Sequence, residues 1–163
     1  MTSDPSAPDA WNRNLAQALR AIRRARQLSA LDVARRMGLP RRSYAFFEAG
    51  SGRMNVERIM TFARATDSDP YAIVASVMIG APELAVRAAD NKLMTAFTIL
   101  LQEFNAEVGD DVGRLETRAA ISAFSDAFKA LAGAAAAHRE NSSRNWLSDR
   151  AAKLGAPGRG RKR

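Results

Sequence analysis

Residues 34–50 read ARRMGLPRRSYAFFEAG, and Gly38-Leu39-Pro40 in their middle constrains the fold more than any other feature of the chain. The sequence on either side is helix-forming. A glycine after Met37 ends a helix because it enters left-handed backbone without a Cβ penalty. Pro40 cannot continue that helix. It suits the first turn of another, where its missing N–H has no helical partner to lose. Tyr44 and Phe47, three apart, turn the new helix's apolar side inward, and Ala34 is small enough to let the two helices cross closely. Upstream, Ser29 and Asp32 have the spacing of a capping box, in which two orphan backbone N–H groups are satisfied reciprocally. The stretch predicts two short helices joined by a tight turn, with Arg41, Arg42, Ala45 and Phe46 on the outer face of the second.

The remainder also reads as helix, with no strand-like alternation. A first helix is expected from about Ala10 to Arg26, with Leu15, Leu19 and Ile22 inward. Leu31, Val33, Ala34 and Met37 line the second. After a loop at Ala49-Gly50-Ser51-Gly52, Asn55 caps a fourth helix to about Ala65, and Asp69-Pro70 opens a fifth, Tyr71 to Met78. Beyond Pro82 the periodicity predicts one long helix from Glu83 to about Val108, carrying Val86, Ala89, Leu93, Phe97, Leu100, Leu101, Phe104 and Val108 on one side. Gly109-Asp110-Asp111 turns the chain into a second long helix, to about Arg139, with Val112, Leu115, Ala119, Phe124, Phe128, Leu131 and Ala135 apolar. The expected fold is all-α. It has a disordered N-terminus (1–9), a five-helix unit (10–79), a helical region (83–140) and a basic, mostly disordered tail (141–163) with a short helix at Asn145 to Leu154.

Charge is segregated along this plan. Residues 12–78 carry +7, residues 79–140 carry −3 and residues 141–163 carry +6, within a total of +8. An arginine-rich composition alone does not separate charge in this way, and the pattern favours a polyanion partner, nucleic acid before an anionic membrane. The chain has no cysteine and a single histidine, His138, so disulfides, thiolate chemistry and the usual zinc sites are excluded. No metal and no other cofactor is expected. No nucleophile–base set or phosphate-cradling loop is present either, so an enzyme is not expected. The longest apolar stretch, Tyr71 to Ala81, is too short to span a bilayer, and the polar start lacks a signal-peptide core. The expectation is a soluble, cytoplasmic, nucleoid-associated protein without membrane contact.

The segment RARQLSALDVARRMGLPRRSYAFFEAG resembles the XRE family, the phage-repressor and Cro-type helix-turn-helix regulators. The resemblance rests on Leu28-Ser29, Val33-Ala34, Gly38, Tyr44, Phe47 and Glu48-x-Gly50, with Arg23 placed to pair with Glu48, and it covers residues 10–79. It implies a five-helix lambda-repressor-like DNA-binding domain whose third helix enters the major groove. There Arg41, Arg42, Ser43 and Phe46 would read bases, since guanidinium forks match guanine O6 and N7. Ser29, Arg36, Arg53 and Asn55 would meet phosphates. Three positions depart from the family pattern: Ala30 where Gln is frequent, Pro40 where Ser or Thr is usual, and Phe46 where a polar residue often stands. Phe46 is left with two readings, a thymine-methyl contact or packing on a partner.

Two classes of function follow. The first is a bacterial sequence-specific transcription regulator, a repressor in the usual family manner. It would bind double-stranded DNA as a homodimer on an inverted repeat, with RNA polymerase as a further candidate partner. Its dimerisation surface would be Leu93, Phe97, Leu100, Phe104, Phe124 and Phe128. The second is a protein-interaction module, an antitoxin or co-regulator, whose DNA-binding unit is degenerate; Ala30, Pro40 and Phe46 motivate it.

Overall fold

Eight α-helices succeed one another in the computed structural model, which describes the backbone of residues 7–154 and the side chains of 9–140. Residues 1–6 and 155–163 lie outside the described residues, and with them most of the expected disordered N-terminus and the last part of the tail. No strand occurs among the described residues, as expected of an all-α chain, and no described helix is long and apolar enough to cross a membrane.

The first six helices form around one core. α1 (Ala7–Ala25) buries Leu15, Ala18, Leu19 and Ile22, the three- and four-residue spacing of an inward stripe. α2 (Ala30–Arg36) starts on the expected capping box. The Ser29 hydroxyl accepts the Asp32 N–H at 3.1 Å, and the Asp32 carboxylate accepts the Ser29 N–H at 2.9 Å. It stops in a paired C-terminal motif, with Leu39 N–H donating to Ala34 C=O at 2.9 Å and Gly38 N–H to Arg35 C=O at 3.1 Å. Gly38, at φ +66°, makes that reversal possible.

α3 (Arg41–Glu48) follows at once. Pro40 stands at its N-cap, one position before the first-turn place that the sequence suggested, and brings no side-chain acceptor. Tyr44 and Phe47 are buried, and the Phe47 ring lies 6.1 Å from that of Phe62 on α4 (Val56–Thr66). α5 (Pro70–Met78) buries Ala72, Ile73, Ser76 and Val77.

The expected single helix from Glu83 to Val108 is two. α6 (Glu83–Arg87) docks against α1 and α5 with Ala85, Ala88 and Ala89 buried, and the chain then breaks before α7 (Leu93–Val108). Two local effects make the break. Lys92 takes left-handed backbone at φ +52°. The first N–H groups of α7 are taken by carboxylate and amide oxygens, Asn91 for Leu93 and Asp69 for Met94 and Thr95. The core therefore runs past residue 79, as far as Ala89.

The chain divides into two units at Glu107 and Val108. In the second, a 3₁₀ turn at Gly109–Arg114 takes up Val112, so the following helix begins later than the stripe implied. α8 (Thr117–Leu154) then continues beyond Arg139 and includes the segment expected to be a separate short helix.

Candidate nucleic-acid interface

α2 and α3 form the helix-turn-helix. Its geometry is locked from behind by α1, through one ion pair and one glycine. Arg23 grips Glu48 with both forks, Nε to Oε1 at 2.5 Å and Nη2 to Oε2 at 3.1 Å, and its Nη1 donates to Leu28 C=O at 3.2 Å. The Tyr44 hydroxyl donates to Glu48 at 2.8 Å. Burial pushes the Glu48 carboxyl up. The Arg23 hydrogen bonds and charge, the Tyr44 hydroxyl and the Arg20 charge outweigh it, so the group sits below its ordinary range. Burial beside that carboxylate pushes the Tyr44 phenol far up, so it stays a donor. The triad joins the start of α2, the body of α3 and α1 into one block. Gly50 completes it: a Cβ there would stand 2.2 Å from Asn12 C=O on α1.

In front of that block, cations are left without partners. Arg41, Arg42, Arg53 and Arg58 are exposed, and their guanidinium groups make no hydrogen bond or ion pair among the described residues. Arg41 and Arg42 occupy the first turn of α3, Arg53 the following loop and Arg58 the first turn of α4. Arg42, Ser43, Phe46 and Arg58 line one shallow, open depression. The Phe46 ring is 56% exposed and lies over Gly52, where an added Cβ would be 3.3 Å from it. Chemically this is a helix N-terminus without a side-chain cap, flanked by forked cations and one apolar plate. Phosphates suit the first, and guanine edges and thymine methyls suit the others.

The remaining expected contacts are placed differently. The Ser29 hydroxyl donates to Asp32 at 2.5 Å, so its only proton is committed within the capping box. That bond and the Ser29 N–H hold the Asp32 carboxyl below its ordinary range, which leaves an acid at the start of α2. Arg36 turns away to donate to Ala65 C=O at 3.1 Å and closes the end of α4. Asn55 caps α4 by accepting the Arg58 N–H at 2.9 Å. Arg58 was not singled out in the sequence. It sits four residues into a segment whose apolar pattern draws attention to the inward face, and only the fold carries it next to Phe46.

Of the expected dimerisation residues, Leu93 is half-buried and the other five are exposed. α7 buries no residue; Phe97, Ile99, Leu100, Leu101 and Phe104 are exposed. In the second unit Phe124, Phe128 and Leu131 are likewise exposed on α8.

One comparison with known proteins agrees with the helix-turn-helix arrangement. Residues 19–73 match the helix-turn-helix family HTH_3. No curated protein and no solved structure matches the chain.

Proposed function

Residues 19–73 form a helix-turn-helix domain of the XRE, lambda-repressor-like type, and on that premise we propose that the protein regulates transcription as a homodimer on an inverted-repeat operator. The domain supports a DNA-binding regulator; the finer reading rests on the unpaired cations. Arg23, Arg26 and Arg36 find carboxylates or carbonyls, whereas Arg13 and Arg24 on α1 are exposed without a partner among the described residues, so it is clustering that distinguishes the four cations. Arg41, Arg42, Arg53 and Arg58 are left facing outward around the start of α3, which is the observation that carries the proposal. Arg41 and Arg42, with Ser43 and Phe46, read bases in the major groove. Arg53, Arg58 and the free amide N–H of Asn55 meet phosphates. A regulator so bound acts on RNA polymerase by blocking or recruiting it at a promoter.

The homodimer is inferred from α7. Between Leu93 and Gln102 it carries no charge, and Phe97, Ile99, Leu100, Leu101 and, beyond them, Phe104 are exposed in the single chain. A helix apolar on most sides needs burial. A second copy offers the same surface and gives the two-fold symmetry of an inverted repeat.

The test is binding of the full chain, at fixed salt, to the site recovered by in vitro selection. Arg41→Ala and Arg42→Ala should each cost about 1–3 kcal/mol and relax preference at one half-site position. Wild-type affinity in both variants would overturn the assignment. The internal use of the Ser29 hydroxyl and the acid at Asp32 favour a second reading, an antitoxin-like or co-regulator module that binds protein instead. A stable dimer that selects no DNA site would establish it.

A further inference from the structure

Asp69 is the most deeply buried acid in the described part of the chain, fully excluded from solvent, and no cation pairs with it. Its charge is carried by five donors from two helices. Oδ1 accepts the N–H groups of Tyr71 at 3.0 Å and Ala72 at 3.2 Å, which caps α5. Oδ2 accepts the N–H groups of Met94 at 2.8 Å and Thr95 at 3.1 Å, which caps α7. The Thr95 hydroxyl adds a fifth bond, to Oδ1 at 2.9 Å. One carboxylate thus starts two helices whose first residues, Pro70 and Leu93, are more than twenty positions apart.

Around it the contacts are polar as well. Lys92 Nζ lies 3.0 Å from Asp67, and Arg26 Nη2 lies 2.7 Å from Asp90. The same Arg26 donates to the carbonyls of Thr66 at 2.9 Å and Asp67 at 2.5 Å. No side chain of α7 is fully buried, and in its first turn Leu93, Met94 and Thr95 are half-buried. Oriented hydrogen bonds at that turn therefore do much to set its direction. A buried carboxylate with every lone pair engaged is a rigid joint.

We propose that Asp69 is a positioning residue for DNA binding. By capping α5 and α7 together it fixes the angle at which the apolar helix leaves the DNA-binding unit, and so the separation of the two third helices in the dimer. The inference rests on the homodimer reading above. It predicts that the joint controls half-site spacing and leaves recognition of one half-site alone.

Asp69→Asn separates the two caps. Whichever way the amide turns, its oxygen keeps one pair of backbone donors and its nitrogen faces the other pair, which it cannot accept, so the two helices are no longer capped together. A second variant, Thr95→Val with Asp90→Ala and Lys92→Ala, loosens the joint from its exposed rim and leaves the core intact. Each full-length protein is titrated against duplexes bearing the selected site, the same site with two base pairs inserted at its centre, and a single half-site. Two base pairs rotate one half-site by roughly 70°, so the wild type should prefer the native spacing by about tenfold or more, and both variants should narrow that preference below about threefold. Single half-site binding should stay within about twofold of wild type, since the α2–α3 contacts are untouched. If Asp69→Asn loses half-site binding through misfolding, the triple variant decides. Variants with the wild-type spacing preference would overturn the joint and leave the dimeric regulator standing. A wild type that shows no spacing preference and scatters light as a monomer would overturn both.

Discussion

Gly38 and Gly50 both hold left-handed backbone, yet a methyl group would meet different fates at the two. Nothing lies within 4 Å of an added Cβ at Gly38, whereas at Gly50 the Asn12 carbonyl stands in its place. Gly38→Ala should cost about 1 kcal/mol, the left-handed penalty alone, and Gly50→Ala about 3 kcal/mol or more, because α1 must also move. Urea unfolding of the two variants checks the ordering; equal losses would show that α1 does not press on the α3 end. Glu48 gives a second residue-scale expectation. Its folded carboxyl lies below the ordinary value of 4.5, so as pH falls past that value the unfolded chain binds the proton first. The stability it contributes is full above the unfolded value and lost as pH falls through the folded one. Glu48→Gln should be less stable at neutral pH, since it leaves Arg23 without a charge partner, but its acid limb should be flatter than wild type. Parallel limbs in melting temperature against pH would assign the acid sensitivity to other carboxyls.

At the scale of elements, the DNA-binding half was legible because local chemistry decides it. Ser29 and Asp32 start α2, Gly38 ends it, and Tyr44 and Phe47 turn α3 inward, all within twenty residues. The break between α6 and α7 was not legible. Val86, Ala89 and Leu93 have helical spacing, and what interrupts them is a carboxylate at Asp69, distant in sequence, with a left-handed Lys92. Alanine was partly misleading: Ala89 stands on the expected apolar stripe, but Ala85 and Ala88 look like filler in a helix-rich composition and are buried too. Among the candidate interface residues, Arg41 and Arg42 announced themselves by adjacency to the turn. Arg36 looked the same in sequence and is used to close α4. The docking of α6 yields a prediction. A fragment ending at residue 91 should be more stable than one ending at Gly80 by about 2 kcal/mol, the apolar area of one short docked helix. Equal urea midpoints would show α6 to be a passenger.

For the whole molecule, the two units take different parts in recognition in the proposed regulator. The first carries a braced helix-turn-helix with outward cations, and it ends in an apolar helix that it does not cover. The second carries Phe124, Phe128 and Leu131 in the open. In the proposed homodimer one symmetric partner meets two needs: burial for the apolar helices and a second half-site for the DNA. On the same proposal, the positive charge of residues 141–163 would add a sequence-independent attraction to the polyanion. The measurement that bears most directly on this account is hydroxyl-radical footprinting of the full chain on its selected site. We predict two protected segments related by a two-fold axis, with centres about 10–11 base pairs apart, as two third helices on one face of the duplex require. A single asymmetric footprint, or none at concentrations where the chain is a dimer, would contradict it.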